Sequence, residues 1–517
     1  SVSTGWDKNR KVYMEFGIDY NRTFGLHKTT ALILYNQSKY YSPSLQYYVP
    51  NAYQGLVGRL TYEYASRYLA EFNMGYNGTE NFAKGKRFGF FPAVSLGWVI
   101  SEEKFFPKNN IVKYLKVRGS YGEVGNDQIG GDRFLYLPSS YGAASDSGVN
   151  KYNFGLASNP YTSLMIVENK IGNPDLTWEK AKKMNVGVDI NLFNNCLTAS
   201  FDIFKEKRNN ILANRSTSPM IIGANLPAYN FGEMENRGWE MDLNFRHHIQ
   251  DFHYWARFNY SFARNEIIYM DEVQKRYDYQ MTTGRRKNQF FGLIFDGYYN
   301  SWEEINALDR PKSSWSGNQL QPGDVKYVDV NQDGVIDDYD MVPIGYTPVP
   351  EIIYGFSFGA QYKGFDFSIL FQGADNVSIK YFGRSMWPFA KGEESAKSLI
   401  KERWTQERYE AGEKITFPRL SLNPNGETDH NYRPSTLWIR DASYLRLKNL
   451  EVGYTFTGGF VKRLNLNSVR LYFNGSNLFT WTDVVDLDPE APSRSGNVEI
   501  NTYPLQKVYN IGLNINF

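Results

Sequence analysis

The chain has 517 residues, of which 42% are hydrophobic, 22% charged and 16% aromatic, enough for several soluble domains or one large barrel. A net charge of +2 provides no large basic field, which argues against nucleic acid as a partner. No apolar run reaches the roughly 18 residues of a helical membrane span, and the single cysteine, Cys196, rules out an intrachain disulfide.

At the front of the chain, Ser1-Val-Ser-Thr-Gly-Trp-Asp-Lys8 has no charged stretch leading into an apolar one, so no signal peptide is visible. Alternation of apolar and polar residues then predicts about fifteen strands. They fall near 11–22, 27–39, 54–65, 68–77, 88–101, 112–124, 179–192, 196–208, 237–248, 251–264, 350–361, 365–375, 438–455, 468–480 and 506–517. In the cleanest of them Phe252, Tyr254, Ala256, Phe258, Tyr260 and Phe262 share one face, opposite His253, Trp255, Arg257, Asn259 and Ser261. The last strand puts Tyr509, Ile511, Leu513, Ile515 and Phe517 against Asn510, Gly512, Asn514 and Asn516. One apolar and one polar face, with 39 Tyr and 35 Phe available for interfacial girdles, predict an all-β, transmembrane antiparallel β-barrel in the outer membrane, with lipid around it and a polar lumen.

Predicted connections alternate in length. Phe193-Asn-Asn195, Ile249-Gln250 and Tyr362-Lys-Gly364 are short, whereas 127–178, 209–236, 265–349, 376–437 and 481–505 are long. Short periplasmic turns and long extracellular loops are the habit of bacterial barrels. With the last residue on the periplasmic side, an odd strand count starts outside the cell, so a C-terminal piece of a larger barrel is expected.

Several stretches resemble SusC/RagA-type TonB-linked outer-membrane transporters: Leu115-Lys-Val-Arg-Gly-Ser-Tyr-Gly-Glu-Val-Gly-Asn126, Asn173-Pro-Asp-Leu-Thr-Trp-Glu179, Asn236-Arg-Gly-Trp-Glu240, Gly323-Asp-Val-Lys-Tyr-Val-Asp-Val-Asn-Gln-Asp-Gly334 and Asp441-Ala-Ser-Tyr-Leu-Arg-Leu-Lys-Asn449. The resemblance runs from about residue 88 to the end. It implies a barrel of about 22 strands, an N-terminal plug, a TonB box and a SusD-like lid lipoprotein, importing oligosaccharides or oligopeptides. No plug or TonB box is recognisable in these residues, so TonB would act through a missing N-terminal portion. A lone transporter–lid pair and a dimer of such pairs are both compatible with the resemblance.

One segment carries metal chemistry. Asp329-Val-Asn-Gln-Asp-Gly-Val-Ile-Asp-Asp-Tyr-Asp340, within the insert 265–349, has oxygen donors at EF-hand-like positions. Asp329, Asn331, Asp333, the Val335 carbonyl, Asp337 and Asp340 would hold Ca2+ in a structural role, with Asp rather than Glu at the twelfth position. The bland alternative is an acidic surface turn. The five histidines form no HExxH pair and no GxSxG elbow occurs, so no catalytic residues are assigned and an enzyme is not expected. Trp302, Trp315, Tyr381, Trp387 and Trp404, in the long loops, are candidates for stacking on substrate or for packing the loops. A surface adhesion or scaffold barrel without transport, and a soluble calcium-binding β protein, are the competing readings.

Overall fold

The computed structural model describes residues 8–517 apart from 44, 46–48, 129, 131–132, 138–141, 144–150, 157–160, 165, 168–170, 218–225, 316–319, 382–386, 390–397, 422–429, 486, 491–496 and 499–504. A 15-stranded antiparallel sheet in strict chain order dominates it. The strands are β1 Arg10–Phe24, β2 His27–Tyr41, β3 Asn51–Tyr64, β4 Tyr68–Thr79, β5 Phe88–Val99, β6 Val112–Asn126, β7 Glu179–Leu192, β8 Leu197–Ala213, β9 Tyr229–Ile249, β10 Phe252–Tyr269, β11 Ile352–Tyr362, β12 Phe365–Asp375, β13 Tyr444–Phe456, β14 Ser468–Thr482 and β15 Val508–Asn516. No helix is long and apolar enough to cross a membrane.

Register carries the predicted faces across the sheet. Val188 lies opposite Phe201, Phe201 opposite Met241, Met241 opposite Tyr260 and Tyr260 opposite Tyr354, so one outward row is apolar from β7 to β11. Tyr260 of this row stacks on Trp239 of the neighbouring rung, ring centres 4.7 Å apart. On the next rung of the same face Val186 and Ile203 are more than half exposed, as expected where lipid is the solvent. Close approach demands glycine in β9: a Cβ at Gly238 would lie 1.9 Å from the Phe262 carbonyl oxygen of β10.

All tight turns fall at one end of the sheet. The turn between β1 and β2 places Gly25 at φ 59°, that between β7 and β8 uses Asn194 at 56°, and Lys363-Gly364 takes 44° and 92° between β11 and β12. Such left-handed pairs match the twist of the strands they join. At the opposite end lie the connections 127–178, 214–228, 270–351, 376–443 and 483–507.

Four boundaries differ most from expectation. β9 starts at Tyr229 rather than 237, and β8 runs to Ala213, so the loop predicted over 209–236 shrinks to 214–228. β10 continues to Tyr269 rather than 264. These extensions rise above the lipid, where nothing enforces apolar-out alternation and the ladder alone holds the strands. Conversely β13 begins at Tyr444, not 438, because Ile439–Asp441 leaves the wall and pairs with Ser378–Tyr381 among the loops.

Candidate functional site

The large fully buried side chains lie chiefly in the connections, not in the wall: Trp438, Tyr381, Phe417, Leu293 and Val325 belong to one cluster and Phe82 and Leu176 to another. The larger cluster joins the connections after β10, β12 and β14, with Val325, Trp438 and Val484 among its members. A polar spine runs through it. Asn431 accepts from the Val325 N–H at 2.9 Å and donates to Asp324 at 2.8 Å, while Arg419 pairs with the same carboxylate at 2.5 Å. His430 Nε2 lies 2.7 Å from the Val325 carbonyl and must donate to it, leaving Nδ1 to accept from the Ser313 hydroxyl at 2.9 Å. Such satisfied, buried polar groups give loops a unique arrangement.

The smaller cluster explains the Asn173–Glu179 motif. Leu176 and Trp178 are buried against Phe82, Phe91 and Leu135, and Trp178 donates to the Arg87 carbonyl at 3.2 Å. A third device ties the last long connection to the wall. Arg446 of β13, with a side chain 3% exposed, pairs with Asp488 at 2.6 Å and Glu490 at 3.2 Å.

These clusters relocate most of the candidate aromatics. Tyr381, Trp387 and Trp404 are buried in the loop core, Tyr381 with its hydroxyl accepting from the Val485 N–H at 2.9 Å and Trp404 donating to Asn300 at 3.2 Å. Trp315 packs partly buried on the same core under the Arg433 guanidinium, 4.1 Å from its ring centre. In this structure Tyr381, Trp387 and Trp404 follow the loop-packing alternative, their faces set against protein, and Trp315 is partly covered. Trp302, first residue of the helix Trp302–Asn306, remains 51% exposed.

The acidic loop folds as a run of Asx turns. Asp329 Oδ2 accepts from the Gly334 N–H at 2.8 Å, Asn331 Oδ1 from Asp333 at 3.0 Å and Asp333 Oδ1 from Val335 at 3.0 Å. Gly334 takes φ 80°, the left-handed turn the motif requires. Asp337 caps the turn Asp338–Asp340 by accepting from Tyr339 at 2.7 Å. Asp340, fully buried, closes the loop by accepting from Val330 at 2.8 Å and Asp337 at 2.9 Å; burial raises its pKa despite these backbone donors, and Asp329 adds to the rise. Asp329 Oδ1 is buried with no hydrogen-bond partner. Among the described residues no three His, Cys, Asp or Glu side chains converge as a metal group. Any cation here would draw on Asn331 and backbone carbonyls as well.

The inward face of the wall is polar and charged. Arg118 of β6 reaches Asp189 of β7 at 3.1 Å and Asp202 of β8 at 2.7 Å, and Arg470 of β14 pairs with Glu451 at 2.5 Å and with Asp366. Alternation along 185–191 and 365–372 puts Asp189 and Asp366 on polar faces, but nothing in the sequence singles out these networks.

A sheet with an apolar outer face, a charged inner face and packed loops at one end is the wall of a large transmembrane barrel, and residues 2–478 match the family described as TonB dependent receptor-like, beta-barrel. The chain belongs to that family. This TonB-dependent receptor barrel lies in the outer membrane, and its family is one of transporters and receptors rather than enzymes. It is 28% identical over 479 residues to TonB-dependent receptor P3 of Formosa agariphila, covering 89% of this chain and 45% of that protein. It is also 28% identical over 477 residues to TonB-dependent receptor SusC of Bacteroides thetaiotaomicron, covering 91% and 44%. Among solved structures, that of the RagAB peptide transporter superposes with a TM-score of 0.74 at 22% identity, over 98% of this chain and 56% of that one. The expected SusC/RagA resemblance therefore holds, and the chain spans about half the length of the curated relatives it matches.

Proposed function

We propose that this chain forms the wall and extracellular vestibule of an active importer of oligomeric nutrients, peptides or glycans, working with a SusD-like lid lipoprotein. The observation that carries this reading is the packed roof made by three separate connections above a charged lumen wall. A passive pore needs no such ordered roof; a vestibule that receives cargo and a lid does. The names of the similar proteins, a peptide transporter and SusC, point the same way. Among the described residues β1 and β15 each have a single neighbour in the sheet. Unpaired strand edges are not tolerated in lipid, so further strands, together with the plug that engages TonB, come from the rest of the transporter.

The test is accumulation of labelled oligopeptide and oligosaccharide libraries by cells with and without this gene. At least one library should lose energised uptake on deletion, and a protonophore should abolish the same component. Unchanged accumulation of both libraries would refute the importer.

Calcium at the acidic loop belongs to the same reading. The buried, partnerless Asp329 Oδ1 and the all-oxygen donor set suit a hard cation, with an affinity of order 10⁻⁴–10⁻³ M as in extracellular modules. Bound calcium would stiffen the insert rather than act on cargo. Millimolar calcium should slow proteolysis of 270–351 several-fold, and Asp329→Ala should remove that protection without changing the fold of the wall. Equal protection by magnesium, or none by either ion, would leave an acidic turn only.

A further inference from the structure

The outward face of β7–β10 changes character toward the loop end. In β8 it runs Leu197, Ala199, Phe201, Ile203 and then Lys205 and Lys207; in β7 Val186 and Met184 give way to Lys182. The apolar part of β8 covers about 20 Å of strand at ~3.4 Å per residue. A tilt of about 40° reduces this to roughly 15 Å of depth, less than the apolar band of about 25 Å. Counted from Leu197 on the same basis, Lys205 and Lys207 lie about 21 and 26 Å up, at the upper edge of that band, so their long side chains reach the headgroups rather than standing clear of the membrane. β11, by contrast, keeps an apolar outward face up to Ile352.

Register sets these cations against each other. Lys182 lies opposite Lys207, Lys205 opposite Arg237, and Arg237 opposite Arg264. Directly opposed like charges weaken a ladder. Carboxylates on this face answer only part of the charge: Glu235 is 2.9 Å from Lys205 and Glu233 3.0 Å from Lys207, but Glu123 comes no closer than 3.9 Å to Lys182. Arg264 is turned to Glu351 at 2.8 Å. Arg237, at the centre of the row, is exposed and makes no ion pair among the described residues.

We infer that this face binds the phosphate group of a lipid of the outer leaflet, an inference that rests on the sheet spanning the outer membrane. A phosphate held by the Arg237 fork, whose paired donors suit its oxygens, meets the one guanidinium of this row without an ion pair among the described residues, with Lys205 and Lys182 beside it supplying further positive charge around their carboxylate partners at 2.9 and 3.9 Å. Acyl chains would then lie along Phe201 and Ile203 directly below.

The test is native mass spectrometry of the protein purified from outer membranes in detergent, with monophosphoryl lipid A, its dephosphorylated counterpart and inorganic phosphate as probes. Wild type should retain the phosphorylated lipid at activation that strips the dephosphorylated one. Lys182→Gln/Lys205→Gln/Arg237→Gln should weaken retention at least tenfold, and Arg237→Gln alone, which breaks no ion pair, should give an intermediate loss. Lys39→Gln, on the outward face of β2, should have no effect. Equal retention of the dephosphorylated lipid, unchanged retention by the triple variant, or inorganic phosphate binding as tightly as the lipid would each overturn the inference. Heat-modifiable gel migration reports the barrel separately: its absence from wild type would instead refute the membrane-spanning reading.

Discussion

Trp438→Ala should unravel the extracellular loop cluster while the wall stays folded. Trp438 is 1% exposed, packs its ring 5.4 Å from those of Phe417 and Tyr432, and donates to the Asn431 carbonyl at 2.8 Å. Truncating a buried Trp costs about 3–5 kcal/mol, and the carbonyl of the polar spine loses its donor besides. The wall is held by its own ladders and does not depend on this core. Limited trypsin digestion should therefore open 270–351 and 376–443 together, because both contribute to one core, while the heat-modifiable barrel band persists. Protection of either segment alone would show that the two connections are independent units.

Arg446→Met should release the last long connection from the wall. The substitution leaves Asp488 without its buried partner and Glu490 with only Lys448 to pair with, at 3.0 Å, and breaking such a buried pair costs about 3–5 kcal/mol. Acid should mimic it. Burial alone would raise the Asp488 pKa, but hydrogen bonds from Arg446 and from the Glu490 and Leu505 N–H groups outweigh it and leave the pKa lowered. A carboxylate with a depressed folded pKa stabilises above its unfolded value of about 3.9 and loses that contribution as pH falls through the folded one. Proteolysis of 483–507, followed with an acid-active protease, should thus accelerate only below about pH 4 in wild type. In Arg446→Met it should be fast at every pH. A pH-independent rate in wild type would assign the anchorage to packing instead.

The wall was legible in the sequence because lipid on one side and water on the other impose a two-residue period on every strand that separates them. Phe252 to Phe262 shows it fully, and β10 carries those residues as one face. From the headgroups upward the signal fades: Glu233 and Glu235 lie on the same face of β9 as Trp239, so the strand's first residues look like loop. The loop core left no periodic trace at all. Its contacts join residues about a hundred positions apart, as Val325 and Asn431 do, and an aromatic buried there cannot be told by sequence from one displayed to cargo. Trp302 and Trp404 differ in that respect only through their partners.

Because the roof is a joint product of the connections after β10, β12 and β14, those three segments form one packing unit. A chimaera that takes only the insert 270–351 from a relative would set foreign residues against Trp438 and Val484 and leave the shared core mismatched. An intact roof can be transplanted between barrels of this kind only by moving all three segments together, since each supplies part of the core that the other two pack against.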